Sequence, residues 1–311
     1  VTNPALRDLP GDAWHAIVER CGEVSRVEHA SAGINADFTA SLTTATGRVF
    51  VKGVQLDSAN AVTHRTEARV NSYLPVTVAP RMLWEVEAAG WLLLGFEHVP
   101  GRHADIGPGS ADLPLIITAV TEVQVTLTPC PPVELPSFAD QWERLGAWQR
   151  LLNHTPPDLD PWTRDLLIYG YDAESAAISI MRGDSLAHTD VQPLNIMIDG
   201  GRARLIDWAW SRRAAPWVDA AFLVIRLISA GHSPLDAERW AARTPAWGAM
   251  PEPAVTLFAV EVLGVWEWLL HNRPMPHRAA LTDAARLWAK YRLERHFPDR
   301  IGAEFRRDDV V

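Results

Sequence analysis

At 311 residues, 48% hydrophobic and 22% charged, the chain is long enough for two lobes of unequal size and too apolar to be a disordered tail. Its formal net charge of −9 makes nucleic acid a poor partner, because phosphate binding asks for a basic face, and suits a cationic ligand better. The two cysteines, Cys21 and Cys130, have no Cys-x-x-Cys spacing, which argues against a zinc site or a disulfide framework. No basic segment followed by an apolar run opens the sequence, and the longest apolar stretch, residues 255–270, is interrupted by Glu261 and Glu267. A cytoplasmic protein with no membrane span is expected.

Taken in chain order, residues 12–21 have helical spacing, with Trp14, Ile17 and Val18 on one side. Residues 25–30, 37–43 and 49–54 are rich in β-branched and apolar side chains and read as strands, the last two joined by a turn at Thr46-Gly47. A helix is expected over 58–74, with Ser58 as N-cap and Pro75 as its stop. Two strands follow at 81–87 and 91–98, around Ala89-Gly90. Pro100-Gly101 breaks the pattern, and beyond it the spacing predicts helices over 111–126, 138–152, 172–181, 217–230, 234–242, 253–271 and 279–295. Inside this helical region, 195–198 and 203–206 form two short strands around Asp199-Gly200-Gly201, a strong hairpin signal. The expected fold class is therefore α+β. A sheet-based lobe over residues 1–99 precedes a mostly helical lobe over 100–311.

The chemistry concentrates on His188-Thr189-Asp190, on Asn195 five residues after Asp190, and on Asp207 twelve residues after Asn195. Singly, these are ordinary loop residues that bond to nearby backbone. Together they suit phosphoryl transfer, which needs an oriented nucleophile, Mg²⁺ on the phosphates and charge neutralisation. Asp190 is placed to orient a hydroxyl and accept its proton. A tight hairpin brings its outer ends together, so Asn195 and Asp207 supply an amide oxygen and a carboxylate, hard ligands suited to Mg²⁺. Lys52 alternates with its apolar strand neighbours and is placed to reach nucleotide phosphates, with Glu67 in the next helix as its partner. Ser31 and Asn35, between the first two strands, are candidate phosphate donors, although a plain turn reads equally well there.

These pieces in this order resemble the aminoglycoside phosphotransferase and choline kinase family, which has a protein-kinase-like two-lobe fold. The resemblance runs from Val24 to about Arg295 and is most specific over residues 186–219. It implies Asp190 as the catalytic aspartate, Asn195 and Asp207 as Mg²⁺ ligands, and Lys52 with Glu67 as the lysine–glutamate pair. It also implies Phe96 at the gatekeeper position, the backbone of Glu97 and Val99 at the adenine, and His188 and Asp219 as supports of the catalytic loop. ATP is the implied donor, with GTP an open alternative. The family usually has Gly where this chain has Thr189, and often His-Pro-Gly-Asn where this chain has Gln192-Pro193-Leu194-Asn195. A protein kinase is disfavoured, since Trp208-Ala209 follows Asp207 and Gln192 stands at the usual Lys position.

The acceptor is expected to be a small hydroxylated molecule, an aminoglycoside-like or other antibiotic, with carboxylates of the later helices as its cation-binding groups. Asp236, Glu238, Glu261 and Glu267 are the candidates, with Trp210 a stacking surface. Salt bridges to Arg226, Arg239 or Arg243, and core packing for the fourteen tryptophans, are the alternatives. A metabolic kinase for an amino alcohol, a sugar or homoserine, or a catalytically silent nucleotide-binding scaffold, remains open as a second reading.

Overall fold

The computed structural model describes residues 9–30 and 36–296. It forms two compact units, one comprising Val1–Ala104 with Asp190–Ser211, the other Asp105–Thr189 with Arg212–Val311. The division is not the single boundary after residue 99 that the sequence suggests. The expected hairpin belongs with the first unit because its partners lie there: β8 (Ile196–Asp199) pairs with β6 (Arg102–His103) on one side and β9 (Arg202–Leu205) on the other.

The first unit is built on a five-stranded antiparallel sheet. Its strands are β1 (Val24–His29), β2 (Phe38–Thr44), β3 (Gly47–Gln55), β4 (Met82–Ala88) and β5 (Trp91–Glu97), in the order β1-β2-β3-β5-β4. Side chains alternate across the sheet and build two separate cores. Val49, Val51, Trp91 and Leu93 pack on one face with Ala13 and Ile17 of α1 (Gly11–Cys21). Val54, Leu92, Leu94 and Phe96 pack on the other with Ala61 and Ala68 of α2 (Ala61–Asn71). Lys52 belongs to the second set by parity, so it shares a face with α2. This helix starts three residues later than expected. Ser58 Oγ accepts from Asn60 N–H at 3.2 Å and closes a turn ahead of the helix instead of capping it. It also ends early, because the Asn71 side chain turns to Pro80 O and Met82 N–H.

The second unit is helical apart from a two-stranded sheet of β7 (Ser185–Ala187) and β10 (Arg212–Ala214). Its principal helices are α3 (Leu113–Thr126), α4 (Phe138–Leu145), α5 (Ala147–Asn153), α7 (Leu167–Ile180), α8 (Val218–Ser229), α9 (Pro234–Ala241), α11 (Glu252–Asn272) and α12 (Arg278–His296), with short α6 (Pro161–Asp165) and α10 (Pro245–Gly248) between them. The single helix expected over 138–152 is broken at Gly146, whose φ of +52° lies in the left-handed region. The break lets Trp148 of α5 turn into the core, where Gly170 of α7 and Gly264 of α11 give it room. A Cβ on either would lie within 2.4 Å of the indole. Phe138, Trp142, Phe222 and Phe258 form an aromatic cluster, with Trp142 and Phe258 stacked at 5.9 Å. Among the described residues, α11 alone is long and apolar enough to cross a bilayer, and 67% of its most apolar window is buried within the protein.

Candidate active site

In the first unit, strand parity puts Lys52 of β3 opposite Glu67 of α2. Lys52 Nζ donates to both Glu67 carboxylate oxygens at 2.9 Å and to Asp207 Oδ1 at 2.8 Å. Lys52 is 8% exposed and Glu67 2%, so these charges are nearly dry and depend on one another. Burial disfavours the ammonium, but the Asp207 and Glu67 carboxylates more than offset it and raise the Lys52 pKa. Lys52 is thus a fixed positive charge, with Phe96 packed 5.8 Å from Nζ.

Asp207 follows β9 with φ +64°, a conformation that Asp tolerates better than most residues. This turn ends the strand, and Trp208 N–H then donates to Glu67 Oε1 at 3.1 Å. Glu67 therefore holds both Lys52 and the backbone just after Asp207.

The segment from Asp190 is equally closed. Pro193–Asn195 forms one 3-10 turn, and Asn195 N–H donates to Gln192 O. The Asn195 amide nitrogen reaches back to Asp190 O at 3.0 Å and Oδ2 at 2.8 Å. Gln192 Nε2 donates to the same Oδ2 at 3.0 Å. Two amides thus fix the orientation of one carboxylate. Asn195 stands just before β8, not inside it as expected. Ile206 N–H donates to Asn195 O, so the ladder continues one step past Ile196–Leu205 and sets Asn195 beside the end that leads into Asp207. The structure thus brings Lys52, Glu67 and Asp207 into one network and Asp190 and Asn195 into a second, joined by the hairpin. Glu97 and Val99 lie half-buried at and just past the end of β5, and Trp210 is half-buried after Asp207. Ser31 and Asn35 lie outside the described residues.

In the second unit, Asp219 in the first turn of α8 accepts from His188 N–H at 2.9 Å and Thr189 N–H at 2.8 Å. Burial pushes the Asp219 carboxyl up, against the lowering effect of His188 and the two backbone donors. Thr189 has φ +60°, a costly conformation for a β-branched residue. This is where the resembling family carries Gly. Relief of about 1–2 kcal/mol of strain exceeds the ~0.5–1 kcal/mol entropic cost of glycine. Thr189→Gly is therefore expected to raise the urea midpoint of unfolding, or at least leave it unchanged. A clear fall would show that Thr189 is not strained there.

The acidic residues expected at the acceptor are engaged or enclosed within the second unit. Asp236 pairs with Arg239 at 3.1 Å, and Glu238 accepts from Trp288 Nε1 at 2.7 Å and Arg292 at 3.1 Å. Glu267, 1% exposed, accepts from Arg286 at 2.5 Å and Thr163 Oγ1 at 3.1 Å. Its partner is thus Arg286, not the expected Arg226, Arg239 or Arg243. Glu261 is also 1% exposed, and among the described residues neither carboxyl oxygen has a hydrogen-bond partner. The structure therefore corrects the acceptor-binding expectation for Glu261 and Glu267: a ligand at the surface reaches neither.

Burial, and then the charge of Glu174, push the Glu261 carboxyl well above the ordinary range. Glu174 itself is held by the N–H groups of Trp148 and Gln149 at the start of α5. The folded chain therefore keeps a proton on Glu261 that the unfolded chain releases above pH ~4.3, so stability falls as pH rises through the folded pKa. Glu261→Leu is expected to gain about 1–3 kcal/mol at neutral pH and to flatten the decline of Tm with pH. A variant as pH-sensitive as the parent would show that Glu261 does not carry the proton.

Gln192 was visible in the sequence only as a departure from the family pattern. Its spacing of two from Asp190 was the available signal for the bond between them.

A family model described as the phosphotransferase enzyme family matches residues 30–253, well over half of the chain. No curated protein matches it significantly in sequence. Among solved structures, a mutant of aminoglycoside 2'-phosphotransferase-IIIa in its GDP complex superposes with TM-score 0.65 at 14% identity, covering 94% of this chain and 99% of that one. A thermostable mutant of aminoglycoside phosphotransferase APH(4)-Ia, in ternary complex with ADP and hygromycin B, gives 0.62 at 13% identity, covering 89% and 97%. An aminoglycoside phosphotransferase from Alicyclobacillus acidocaldarius gives 0.61 at 14%, covering 91% and 93%. These likenesses show the two-lobe, protein-kinase-like fold, and the family match reaches into both units. The chain belongs to the phosphotransferase enzyme family.

Proposed function

We propose that this phosphotransferase moves the γ-phosphoryl group of ATP to a hydroxyl of a small cationic molecule of the aminoglycoside type. The observation that carries the reading is Lys52, buried and held between Glu67 and Asp207, in the same unit as the clamped Asp190 carboxylate. In this reading Asp190 orients the acceptor hydroxyl and accepts its proton. The hydroxyl oxygen then bonds to the γ-phosphorus as the bond to the β-phosphate oxygen breaks, and ADP leaves. Lys52 meets the charge of the donor phosphates, and the backbone of Glu97 and Val99 beside Phe96 receives the base. Ser31 and Asn35 remain candidate phosphate donors, and GTP remains an alternative to ATP.

The donor chemistry of the site fits Mg²⁺. Asn195 spends its amide nitrogen on Asp190, so its oxygen is the atom left to a hard cation, and Asp207 contributes a carboxylate. Magnesium normally takes only one or two protein oxygens and completes its shell with water and phosphate, so no larger cluster of protein ligands is needed. When bound, the ion neutralises phosphate charge. His188 and Asp219 hold the backbone leading into Asp190.

The aminoglycoside assignment is supported by the net charge of −9 and by the hygromycin B complex of a structural neighbour. Dependence on ATP points to work in the cytoplasm. The test is ADP release with ATP and a panel of aminoglycosides, amino alcohols, sugars and homoserine. Aminoglycosides are expected to raise turnover most. Stimulation only by an amino alcohol, a sugar or homoserine would replace the antibiotic role with a metabolic one. No stimulation by any acceptor, with ATP still bound, would favour a silent scaffold.

A further inference from the structure

The β9 side chain Arg204 makes contacts that the reaction outlined above does not use. It is only 15% exposed, and its Nη2 donates to Ala79 O at 2.8 Å and Val76 O at 3.3 Å, and lies 3.4 Å from Glu97 Oε2. One residue on, Leu205 N–H donates to Val78 O at 2.6 Å. The hairpin strand is thus fastened to the segment between α2 and β4, and to the side chain at the end of β5. Glu97 is fixed from the other side as well. Its N–H donates to Arg81 O at 2.9 Å, and its Oε2 accepts from Arg81 N–H at 3.1 Å.

These contacts close a ring within the first unit. From Glu97 the ring passes through Arg204 and along β9 to Asp207, three residues further on. Asp207 bonds Lys52, and Lys52 lies on β3, which pairs with β5 through Lys52–Leu94. One side of the ring is the Arg204 side chain. Of the other three sides, one is the chain from β9 to Asp207, one is the Asp207–Lys52 ion pair and one is the β3–β5 backbone ladder. The two carbonyls and the carboxylate all meet one guanidinium nitrogen, Nη2, so the three anchor points converge on a single charged donor group.

The geometry points to Arg204 as a positioning residue for the nucleotide, one that fixes the distance between the base-binding end of β5 and the phosphate-binding end of the hairpin. The inference rests on the proposed nucleotide site, in which the Glu97 backbone meets the base and Lys52 and Asp207 meet the phosphates. A ligand that spans both ends depends on their separation. A ligand that occupies only the phosphate end does not.

The experiment is calorimetric binding of ATP and of inorganic tripolyphosphate, each with Mg²⁺, to the parent, Arg204→Met and Arg204→Lys. Arg204→Met is expected to raise the Kd for ATP about tenfold, the scale of one lost charged hydrogen bond, and to leave the Kd for tripolyphosphate unchanged. Turnover should show the same split, with a higher KM for ATP and nearly the parental kcat. Arg204→Lys should recover part of the ATP affinity, and it carries the test if Arg204→Met does not fold. Parallel weakening of both ligands, or no change in either, would overturn the positioning role. If the parent itself bound no ATP, the failure would belong to the proposed function and not to Arg204.

Discussion

Asp190→Asn is expected to lower kcat by on the order of 10²-fold or more while leaving the KM for ATP close to that of the parent. The expectation is specific because of how Asp190 is held. Its Oδ2 takes two amide donors, from Asn195 and Gln192, and its backbone oxygen takes a third bond from Asn195. An asparagine presents an amide oxygen of nearly the same shape to those donors, so the turn and the Asn195 side chain are retained. What is lost is the capacity to accept a proton from the acceptor. A fall in kcat with unchanged nucleotide affinity therefore reads the chemical step. An unchanged kcat would remove Asp190 from that role.

The second large effect is expected at the other end of the hairpin. Asp207→Ala should abolish the Mg²⁺-dependent part of nucleotide binding, a loss of about 10²-fold or more for removal of a carboxylate ligand. Calorimetry with and without the metal separates this from simple damage. The parent should bind ATP far more tightly with Mg²⁺ than without, and the variant should show no such difference. Lys52 keeps Glu67 in the variant, so a folded protein is expected. Persistence of full metal dependence would place the ion elsewhere.

Much of this site was legible in the residues because it depends on local rules. The Asp199-Gly200-Gly201 turn fixes a hairpin, and its register sets Asn195 beside Ile206, the residue before Asp207. Strand alternation puts Lys52 on the face of α2, where Glu67 lies fifteen residues on. The features that were not legible depend on long-range partners. Strands of two or three residues, such as β6, β7 and β10, are too short to leave a periodic signal. Gly146 looks like one tolerable glycine inside a helix until Trp148 is seen to need the break. Glu261 and Glu267 interrupt an apolar helix, and such a pattern looks the same whether the carboxylate meets a ligand, an arginine or nothing. The structure gives Glu267 an arginine 19 positions away and encloses Glu261. Arg204 carried no signal, because its acceptors are backbone oxygens more than a hundred residues away.

The measurement closest to the central claim follows the phosphate itself. The parent and Asp190→Asn are incubated with γ-labelled ATP, Mg²⁺ and the best acceptor of the panel, and the label is traced by phosphorus NMR and mass spectrometry. With the parent, the label is expected in a phosphate monoester of an acceptor hydroxyl, in equal amount to the ADP formed. Asp190→Asn should form that ester at least about 10²-fold more slowly. Label recovered only as inorganic phosphate, or ester formed equally fast by both proteins, would contradict an Asp190-dependent transfer to a hydroxyl.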